Sequence, residues 1–435
     1  MIKTDETAIE RRSDMDFAIK GDIAYSASRS ELCTVENGTL VCTDGICRGV
    51  FRELPEQYSS LRCLDFSGML VIPGMVDLHL HAPQYAFRGL HMDEQLLPWL
   101  EKYAFPEEMK YENLVYAQRA YAIFADRLRR SATTRAAVFA SRHLPATLLL
   151  MELLEKTGLH TFVGKVNMDR GAPDALMDAS AEASARETEE LIEKASRFQN
   201  TKPIVTPRFI PSCTDALMEK LGEIVKRFNV PVQSHLSENP EELALVQSLM
   251  PDVAFYGAGY EKYGLLGETK TIMAHCVYSP DEEMELLRRK GVFIAHCPSS
   301  NLNIGSGFAP IRRYLEAGLR IGLGSDVAGG ESESIFGELR KAIVVSKMYT
   351  RYVNPKAKPL TFPEAFWLAT RSGGAFFGRV GAFDEGFDAD IVVLEDAKHP
   401  HPQKLTVAER LERSVYLGAD RDVIAAKFVA GKRIL

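Results

Sequence analysis

The chain has 435 residues, of which 46% are hydrophobic and 26% charged, a composition typical of a globular protein large enough for one big domain and a smaller one. Its formal net charge is -7, and it has no run of Lys or Arg long enough to follow a phosphate backbone, which argues against a nucleic-acid partner. The charged first fifteen residues and the lack of an apolar run of about 18 residues predict a cytoplasmic protein without a signal peptide or membrane span.

The N-terminal part of the chain, residues 1–69, is predicted to belong to a small β domain. Short alternating segments such as Thr39–Thr43 are separated by glycines, which is typical of antiparallel strands. The tail, residues 381–435, has the same character in Asp390–Leu394 and Val423–Val429. We therefore expect both ends of the chain to assemble one small antiparallel unit, a β-sandwich, beside the main domain.

Residues 70–380 alternate short β-branched apolar runs with longer amphipathic stretches. The pattern predicts helices such as Ser180–Arg197, rich in Ala and Glu, and Pro280–Lys290, which Gly291 terminates. Strand followed by helix, repeated about eight times, is the pattern of a parallel (β/α)8 or TIM barrel, so the predicted fold class is α/β. The candidate strands are Leu70–Leu80, Thr134–Ala140, Thr161–Val166, Ile204–Ile210, Val230–His235, Thr271–Cys276, Val292–His296 and Arg320–Ser325.

The first candidate strand ends in His79-Leu80-His81 after an apolar run. Residues i and i+2 of a strand point to the same face, so one divalent ion would meet both rings. Alone this is a weak signal, because two histidines on a strand are more often ordinary core residues.

Other candidate strands also end in polar residues, and barrel enzymes carry their reactive groups at the carboxyl ends of the strands. The fifth strand reaches His235, with Glu238 just beyond it, and the sixth, seventh and eighth end at His275, His296 and Asp326. Singly, each has an ordinary structural explanation as a buried hydrogen-bonded residue or a helix cap. Together, imidazoles from strands one and five with a carboxylate from strand eight predict a pocket suited to Zn2+ or a similar ion.

Several motifs resemble the amidohydrolase superfamily and, within it, the guanine deaminase family. The superfamily resemblance covers nearly all of the chain, from the His-x-His strand to Gly386–Val392. The motifs of the narrower resemblance are His81-Ala82-Pro83-Gln84-Tyr85, Trp99–Pro106, Pro207-Arg208-Phe209, His235–Asn239 and Ser325–Gly330.

A site for a single metal ion is expected, because no lysine stands at the end of strand four. Related superfamily members hold two metals bridged by a carbamoylated lysine at the end of strand four, where this chain has Thr206-Pro207-Arg208. Lys202 lies at the opposite end of that strand, and Lys165 on strand three is favoured as a structural or substrate-side residue.

The resemblance implies hydrolytic deamination of guanine at C2 to xanthine and ammonia by a metal-activated water, a reaction of purine catabolism. His275 would orient the water, Glu238 would shuttle protons, and Asp326 would share the water's proton. The ligands implied for one Zn2+ per chain, with iron as the alternative metal, are His79, His81, His235 and Asp326.

Substrate contacts are also implied by the resemblance. Gln84 would reach a ring edge of the base, Arg208 would donate to the 6-oxo oxygen, and Phe209 would wall or stack the ring. The family resemblance also suggests a homodimer. One departure lies near the expected pocket mouth, where Gly171 follows Met168-Asp169-Arg170 in place of an expected Asn, and another is the charged Ser141-Arg142-His143.

Two alternatives stay open at this point. One is another deaminase or dechlorinase of the same superfamily, acting on 8-oxoguanine, a nucleoside, a pterin or an s-triazine. The other is a non-catalytic barrel used as an assembly scaffold, although such proteins typically lose metal ligands. The zinc base deaminases with a Pro-Cys-x-x-Cys motif are excluded, because the sequence has no such motif.

Overall fold

The computed structural model describes residues 15–417 and 420–435, so nearly all of the segment used to argue against a signal peptide lies outside it. No helix in this described part is long and apolar enough to cross a membrane. The strands are β1 (Phe17–Ser28), β2 (Glu31–Thr43), β3 (Ile46–Phe51), β4 (Arg62–Pro73), β5 (Met75–His81), β6 (Thr133–Phe139), β7 (His160–Gly164), β8 (Val166–Asn167), β9 (Thr201–Pro203), β10 (Thr206–Pro207), β11 (Val232–Leu236), β12 (Thr271–His275), β13 (Phe293–His296), β14 (Arg320–Leu323), β15 (Ile391–Leu394), β16 (Ile424–Val429) and β17 (Lys432–Arg433).

Helices follow most of the strands from β6 onwards, and both helices predicted in detail are confirmed. The Oγ of Ser180 accepts from the backbone N of Ala183 and starts the first, and Gly291 at φ 65° ends the second. The α-helices are Leu96–Trp99, Phe105–Met109, Leu114–Arg130, Leu144–Thr157, Ala181–Ala195, Asp215–Phe228, Pro240–Leu249, Tyr256–Lys262, Asp281–Lys290, Pro298–Asn303, Ile311–Glu316, Ile335–Tyr352, Phe362–Trp367, Val407–Leu417 and Asp420–Val423.

Strands from both ends of the chain form one seven-stranded sheet, in the order β17-β16-β15-β4-β1-β2-β3. Both ends of the chain thus contribute strands to one sheet. The expectation of a purely antiparallel unit is wrong, because β1 and β4 are parallel. The connection after β3 carries the chain back to the starting end of β1, on the edge that β2 does not occupy. A second sheet, which a sandwich would require, stays a prediction.

Two four-stranded parallel sheets lie between these ends, in the orders β5-β6-β7-β9 and β11-β12-β13-β14, with β8 and β10 as a short parallel pair. Strands β5 to β14 lie within or beside the eight predicted segments. One junction between the two sheets is a parallel bridge between Val205 and Val232. At the other, the N of Asp326 donates to the O of His79 at 2.8 Å, and the N of His81 donates to the O of Val327 at 3.1 Å. The residues that follow β14 therefore lie directly beside the end of β5.

The first predicted strand, Leu70–Leu80, is two strands in the structure. Its first part belongs to β4 in the terminal sheet and its second part to β5, and the chain changes sheets at Gly74. A Cβ at Gly74 would lie 2.2 Å from the Oγ1 of Thr134, so only glycine fits this crossing. A continuous apolar run thus hides a change of sheet.

Buried charges join the terminal sheet to the strands of the main domain. The guanidinium of Arg135 on β6 donates to both oxygens of Asp390, at 2.6 and 2.8 Å, and to Asp388 at 2.9 Å. The ammonium of Lys427 on β16 donates to the carbonyls of Ser131 and Thr133 at 2.9 and 2.8 Å. These contacts lie beside the start of β6, at the end of the parallel strands away from the polar residues predicted to be functional.

Candidate active site

Two histidines at the end of β5 open the candidate site. His79 is fully buried and His81 is 3% exposed. The backbone bonds between the end of β5 and residues 326 and 327 place Asp326 beside both rings. Its Oδ1 lies 3.1 Å from the Nε2 of His79 and 3.5 Å from the Nε2 of His81. A residue about 245 positions away in sequence therefore meets both imidazoles.

His235 and His275 complete the cluster from β11 and β12. The Nε2 of His235 lies 3.1 Å from the Nε2 of His81, and the Nε2 of His275 lies 3.8 Å from the Oδ2 of Asp326. One potential ligand atom from each of His79, His235, His275 and Asp326 falls within 4.8 Å of the others. This grouping includes His275, which the sequence analysis gave another role, whereas His81 lies just beside it.

Backbone and amide contacts fix which ring nitrogens face inward. The Nδ1 of His235 lies 2.6 Å from the backbone O of Arg208, and the Nδ1 of His275 lies 2.8 Å from the Oδ1 of Asn301. Both partners are acceptors, so each Nδ1 carries the proton and each Nε2 presents its lone pair to the cluster.

The charge state of the cluster suits a cation. Burial lowers the pKa values of His79, His81 and His235, so these rings are neutral and able to ligate a metal. Burial alone would raise the pKa of Asp326, but the adjacent His79, and then His275 and His81, lower it well below its usual range, so this carboxyl group is ionised. The Nε2 atoms of His79 and His275 are buried without a hydrogen-bond partner among the described residues. Unpaired lone pairs facing a carboxylate form a donor set that a divalent ion would satisfy.

Asp77 is a site residue that the sequence analysis missed. It is fully buried and accepts hydrogen bonds from the N of His79 at 3.2 Å and from the N and Oγ of Ser325 at 3.0 and 2.5 Å. Its carboxyl group therefore ties the end of β5 to the residue before Asp326. The i, i+2 spacing from His79 was the available signal.

Glu238 lies beside the cluster, just after β11. Its Oε1 accepts a 2.9 Å hydrogen bond from Ser306, and its Oε2 lies 3.4 Å from the Nε2 of His275. Burial, and then the nearby charge of Asp326, raise the pKa of Glu238 to about 8. The group is therefore protonated near neutral pH and can act as an acid.

A cavity of about 390 Å³ opens onto this cluster. Its polar wall includes side chains of the cluster and Glu238, and its apolar wall consists of leucines, an isoleucine and two aromatic rings. The lining residues are His81, Gln84, Leu96, Trp99, Leu100, Arg208, Phe209, His235, Glu238, His275, Ile304, Asp326 and Gly329. A slot with an apolar wall facing convergent polar groups suits a small planar ligand.

All of the residues predicted to bind substrate line this cavity, but a buried carboxylate missed by the sequence analysis holds two of them. Arg208 donates to Glu108 through Nη1 and Nη2, at 2.7 and 3.1 Å, and Gln84 donates to it through Nε2 at 2.9 Å. Glu108 sits in the helix Phe105–Met109, where proline and glutamates in the first turn indicate an ordinary helix start. The sequence therefore gave no separate signal for its role.

The contacts of Lys165 and Gly171 indicate that both residues have structural roles. Lys165 is buried and pairs with Asp178 at 2.8 Å and Glu187 at 3.3 Å. Gly171 has φ 68°, and a Cβ there would lie 2.8 Å from the backbone O of Pro211, which explains why Asn is absent. Arg142 lies 4.0 Å from Asp178, beside the same lysine.

Comparison with known proteins identifies the family of this chain. The model of the amidohydrolase family matches residues 70–434. A guanine deaminase of Dictyostelium discoideum is 39% identical over 405 residues, covering 91% of this chain and 87% of the relative, and that of Escherichia coli (strain K12) is 35% identical over 373 residues, covering 84% and 83%. The crystal structure of guanine deaminase from C. acetobutylicum with bound guanine has a TM-score of 0.93 and 42% identity, and the match covers 97% of this chain and all of that one. The chain therefore belongs to the amidohydrolase family and, within it, to the guanine deaminases.

Proposed function

We propose that this protein hydrolyses guanine to xanthine and ammonia. The observation that carries the proposal is one cavity lined by residues of the His/Asp cluster, by the buried carboxyl group of Glu238, and by the polar side chains of Gln84 and Arg208. The guanine deaminase relatives, and the similarity to a structure that holds guanine, support the same substrate.

We propose that the cluster holds one Zn2+ per chain, with iron as the alternative metal. The ligand set we favour is His79, His81, His235 and Asp326, with His275 on the side of Glu238. Neutral imidazoles and an ionised carboxylate are the donors that zinc prefers. When bound, such an ion supplies a Lewis acid that makes water nucleophilic near neutral pH.

Glu238 is the proposed proton carrier. Its protonated carboxyl group would donate to a ring nitrogen of the amidine as water adds to C2. The carboxylate that remains would take up a proton from the added water and pass it to the departing ammonia. His275 lies between Asp326 and Glu238, at 3.8 and 3.4 Å, and would stabilise charge that develops there. Asp326 would share the proton of the attacking water.

Arg208 and Gln84 would recognise the purine. The guanidinium offers donors to the 6-oxo oxygen, and the amide of Gln84 reaches a ring edge. Phe209 is 6% exposed and lines the same cavity, where its ring would pack on the base. Hydrogen bonds to buried polar groups discriminate between rings by factors of about 10⁴, so these contacts would select an oxopurine.

We also propose the wider architecture in which this site works. Residues 70–380 would form a (β/α)8 barrel closed by the two junctions described above, with residues 1–69 and 381–435 together forming the β-sandwich domain. The protein would act in purine catabolism as a homodimer. Light scattering on the purified protein would test the dimer.

The test of the function is turnover by purified, zinc-loaded protein. Guanine, 8-oxoguanine, adenosine, a pterin and an s-triazine are supplied separately, and released ammonia is measured. We expect guanine to be the preferred substrate and xanthine to be its product. Turnover of another ring with guanine untouched would overturn the proposal.

A further inference from the structure

We propose that Glu108 is a positioning residue that determines the specificity of this site for an oxopurine. The inference rests on the proposed function, since it concerns how the same cavity selects its substrate. Glu108 is fully buried and is not among the residues that line the cavity. It would therefore act only through the two polar side chains that it holds.

The first of these side chains is Arg208. Its two terminal nitrogens donate to the two carboxylate oxygens of Glu108, at 2.7 and 3.1 Å, in a fork that fixes the plane of the guanidinium. A guanidinium has about five N–H donors, and this fork occupies two of them, so donors stay available to a ligand. The Arg208 guanidinium also stacks on Phe105, with its carbon 5.1 Å from the ring centroid. Arg208 is only 2% exposed, so without Glu108 its charge would be buried and uncompensated.

The second side chain is Gln84, whose amide has only one favourable orientation. Its Nε2 donates to Glu108 at 2.9 Å, and its Oε1 accepts from the backbone N of Ala328 at 3.3 Å. A flipped amide would place its oxygen against a carboxylate and its NH2 group against an N–H donor. The two neighbours together therefore decide which edge of the amide a ligand meets.

The pairing also sets the net charge of the recognition wall. A lone guanidinium would favour anionic ligands, but the carboxylate of Glu108 balances it and leaves directed donors without net charge. Such a wall suits a neutral ring that carries a carbonyl acceptor. This wall discriminates by geometry, because its donors are held in place and cannot turn away. A ring that lacks the oxygen leaves these buried donors unpaired and therefore binds less well.

The test compares two purines in the zinc-loaded full-length protein. Guanine carries the 6-oxo group, and 2-aminopurine lacks it, so the KM for guanine and the inhibition constant of 2-aminopurine are measured for wild type and Glu108→Gln. We expect the KM for guanine to rise about 10-fold or more, the scale of a hydrogen bond to a charged group, while kcat falls less. The inhibition constant of 2-aminopurine should rise by a clearly smaller factor than the KM for guanine, since that ring makes no oxygen contact with Arg208 and depends only on the contact with Gln84.

The chain offers a conservative variant and a matched control. Glu108→Asp keeps the charge but is one methylene shorter, so it should raise the KM for guanine relative to the inhibition constant of 2-aminopurine by a smaller factor. It supplies the measurement if Glu108→Gln does not fold. Glu107, the adjacent glutamate, bonds to Lys110 at 2.6 Å and to Tyr116 instead. Glu107→Gln should leave both constants unchanged, and metal content should equal that of wild type in every variant.

Two results contradict the inference while leaving the proposed function intact. They are equal changes in the two constants, which indicate general loosening of the pocket, and unchanged constants in both Glu108 variants. A wild-type protein that does not deaminate guanine would instead contradict the proposed function, and the inference with it.

Discussion

The Oγ of Ser306 donates a 2.9 Å hydrogen bond to the Oε1 of Glu238. Ser306 is fully buried and lies between Gly305 and Gly307, which have φ values of 70° and 122°. The bond holds one carboxyl oxygen away from the cluster and turns the other, Oε2, toward the Nε2 of His275 at 3.4 Å. A short glycine-flanked turn therefore sets the direction in which Glu238 can exchange protons.

Replacing Ser306 with alanine should misdirect Glu238 without removing it. We expect kcat to fall about 10-fold, the scale of one buried hydrogen bond, with KM for guanine within about 3-fold of wild type. Steady-state kinetics and metal analysis would measure this. Ser248, an exposed helical serine that bonds only to the O of Leu245, provides the alanine control. An unchanged kcat would show that Glu238 keeps its direction without the serine.

Glu238→Gln should remove the proton carrier while keeping the shape of the site. An amide cannot exchange a proton as a carboxyl group does, so kcat should fall by at least about 10²-fold. Metal content should be unchanged, because we place Glu238 outside the ligand set. Glu241→Gln is a suitable control, since that side chain is exposed on the next helix. Turnover like that of wild type would mean that another group carries the proton.

Removing the metal should abolish activity and lower thermal stability. Within the described residues, the Nε2 atoms of His79 and His275 in this cluster are buried without a hydrogen-bond partner, and an ion bound only by the folded state stabilises that state. We expect dialysis against a chelator to lower Tm and remove turnover, and one equivalent of Zn2+ to restore both. Full activity in protein shown by elemental analysis to lack metal would refute the proposed site.

Arg135→Met should destabilise the protein without touching the active site. The substitution leaves Asp390 buried and unpaired, and breaking a buried ion pair in this way costs about 3–5 kcal/mol. Equilibrium urea unfolding would measure the loss. Arg130, five positions earlier, pairs with Asp126 at the surface, so Arg130→Met should change stability by no more than about 1 kcal/mol. Similar effects of the two substitutions would contradict this view of the ion network.

Acid should destabilise the protein partly through His160. Burial, and then the charge of Arg135, lower the pKa of His160 to about 4, whereas an unfolded chain titrates near about 6.5. Between these values the unfolded chain binds a proton that the folded chain does not, so this contribution is fully present above about pH 6.5 and is lost as pH falls toward 4. His160→Gln should flatten the fall of Tm over this range, as measured by calorimetry. An equally steep fall in the variant would assign the effect to other groups.

Local patterns in the sequence determined much of this protein. Alternating and continuous apolar runs predicted the strands, and helix punctuation predicted Ala181–Ala195 and Asp281–Lys290, because both depend on side chains within a few residues of each other. The polar residues at strand ends could be grouped for the same kind of reason, since parallel strands bring their carboxyl ends to one edge. The strand-end pattern therefore predicts that His79, His235 and Asp326 meet.

The tertiary structure alone decided how those side chains are held. Glu108 reaches Arg208 across 100 residues, Asp77 reaches Ser325 across 248, and Ser306 reaches Glu238 across 68. The crossing at Gly74 and the parallel pairing of β1 with β4 were hidden in the same way. Each of these contacts depends on where distant segments pack, and a buried carboxylate has the same local sequence signature as one at a solvated helix start. The residues that orient a site are brought to it by the packing of the whole fold, which no local sequence pattern predicts.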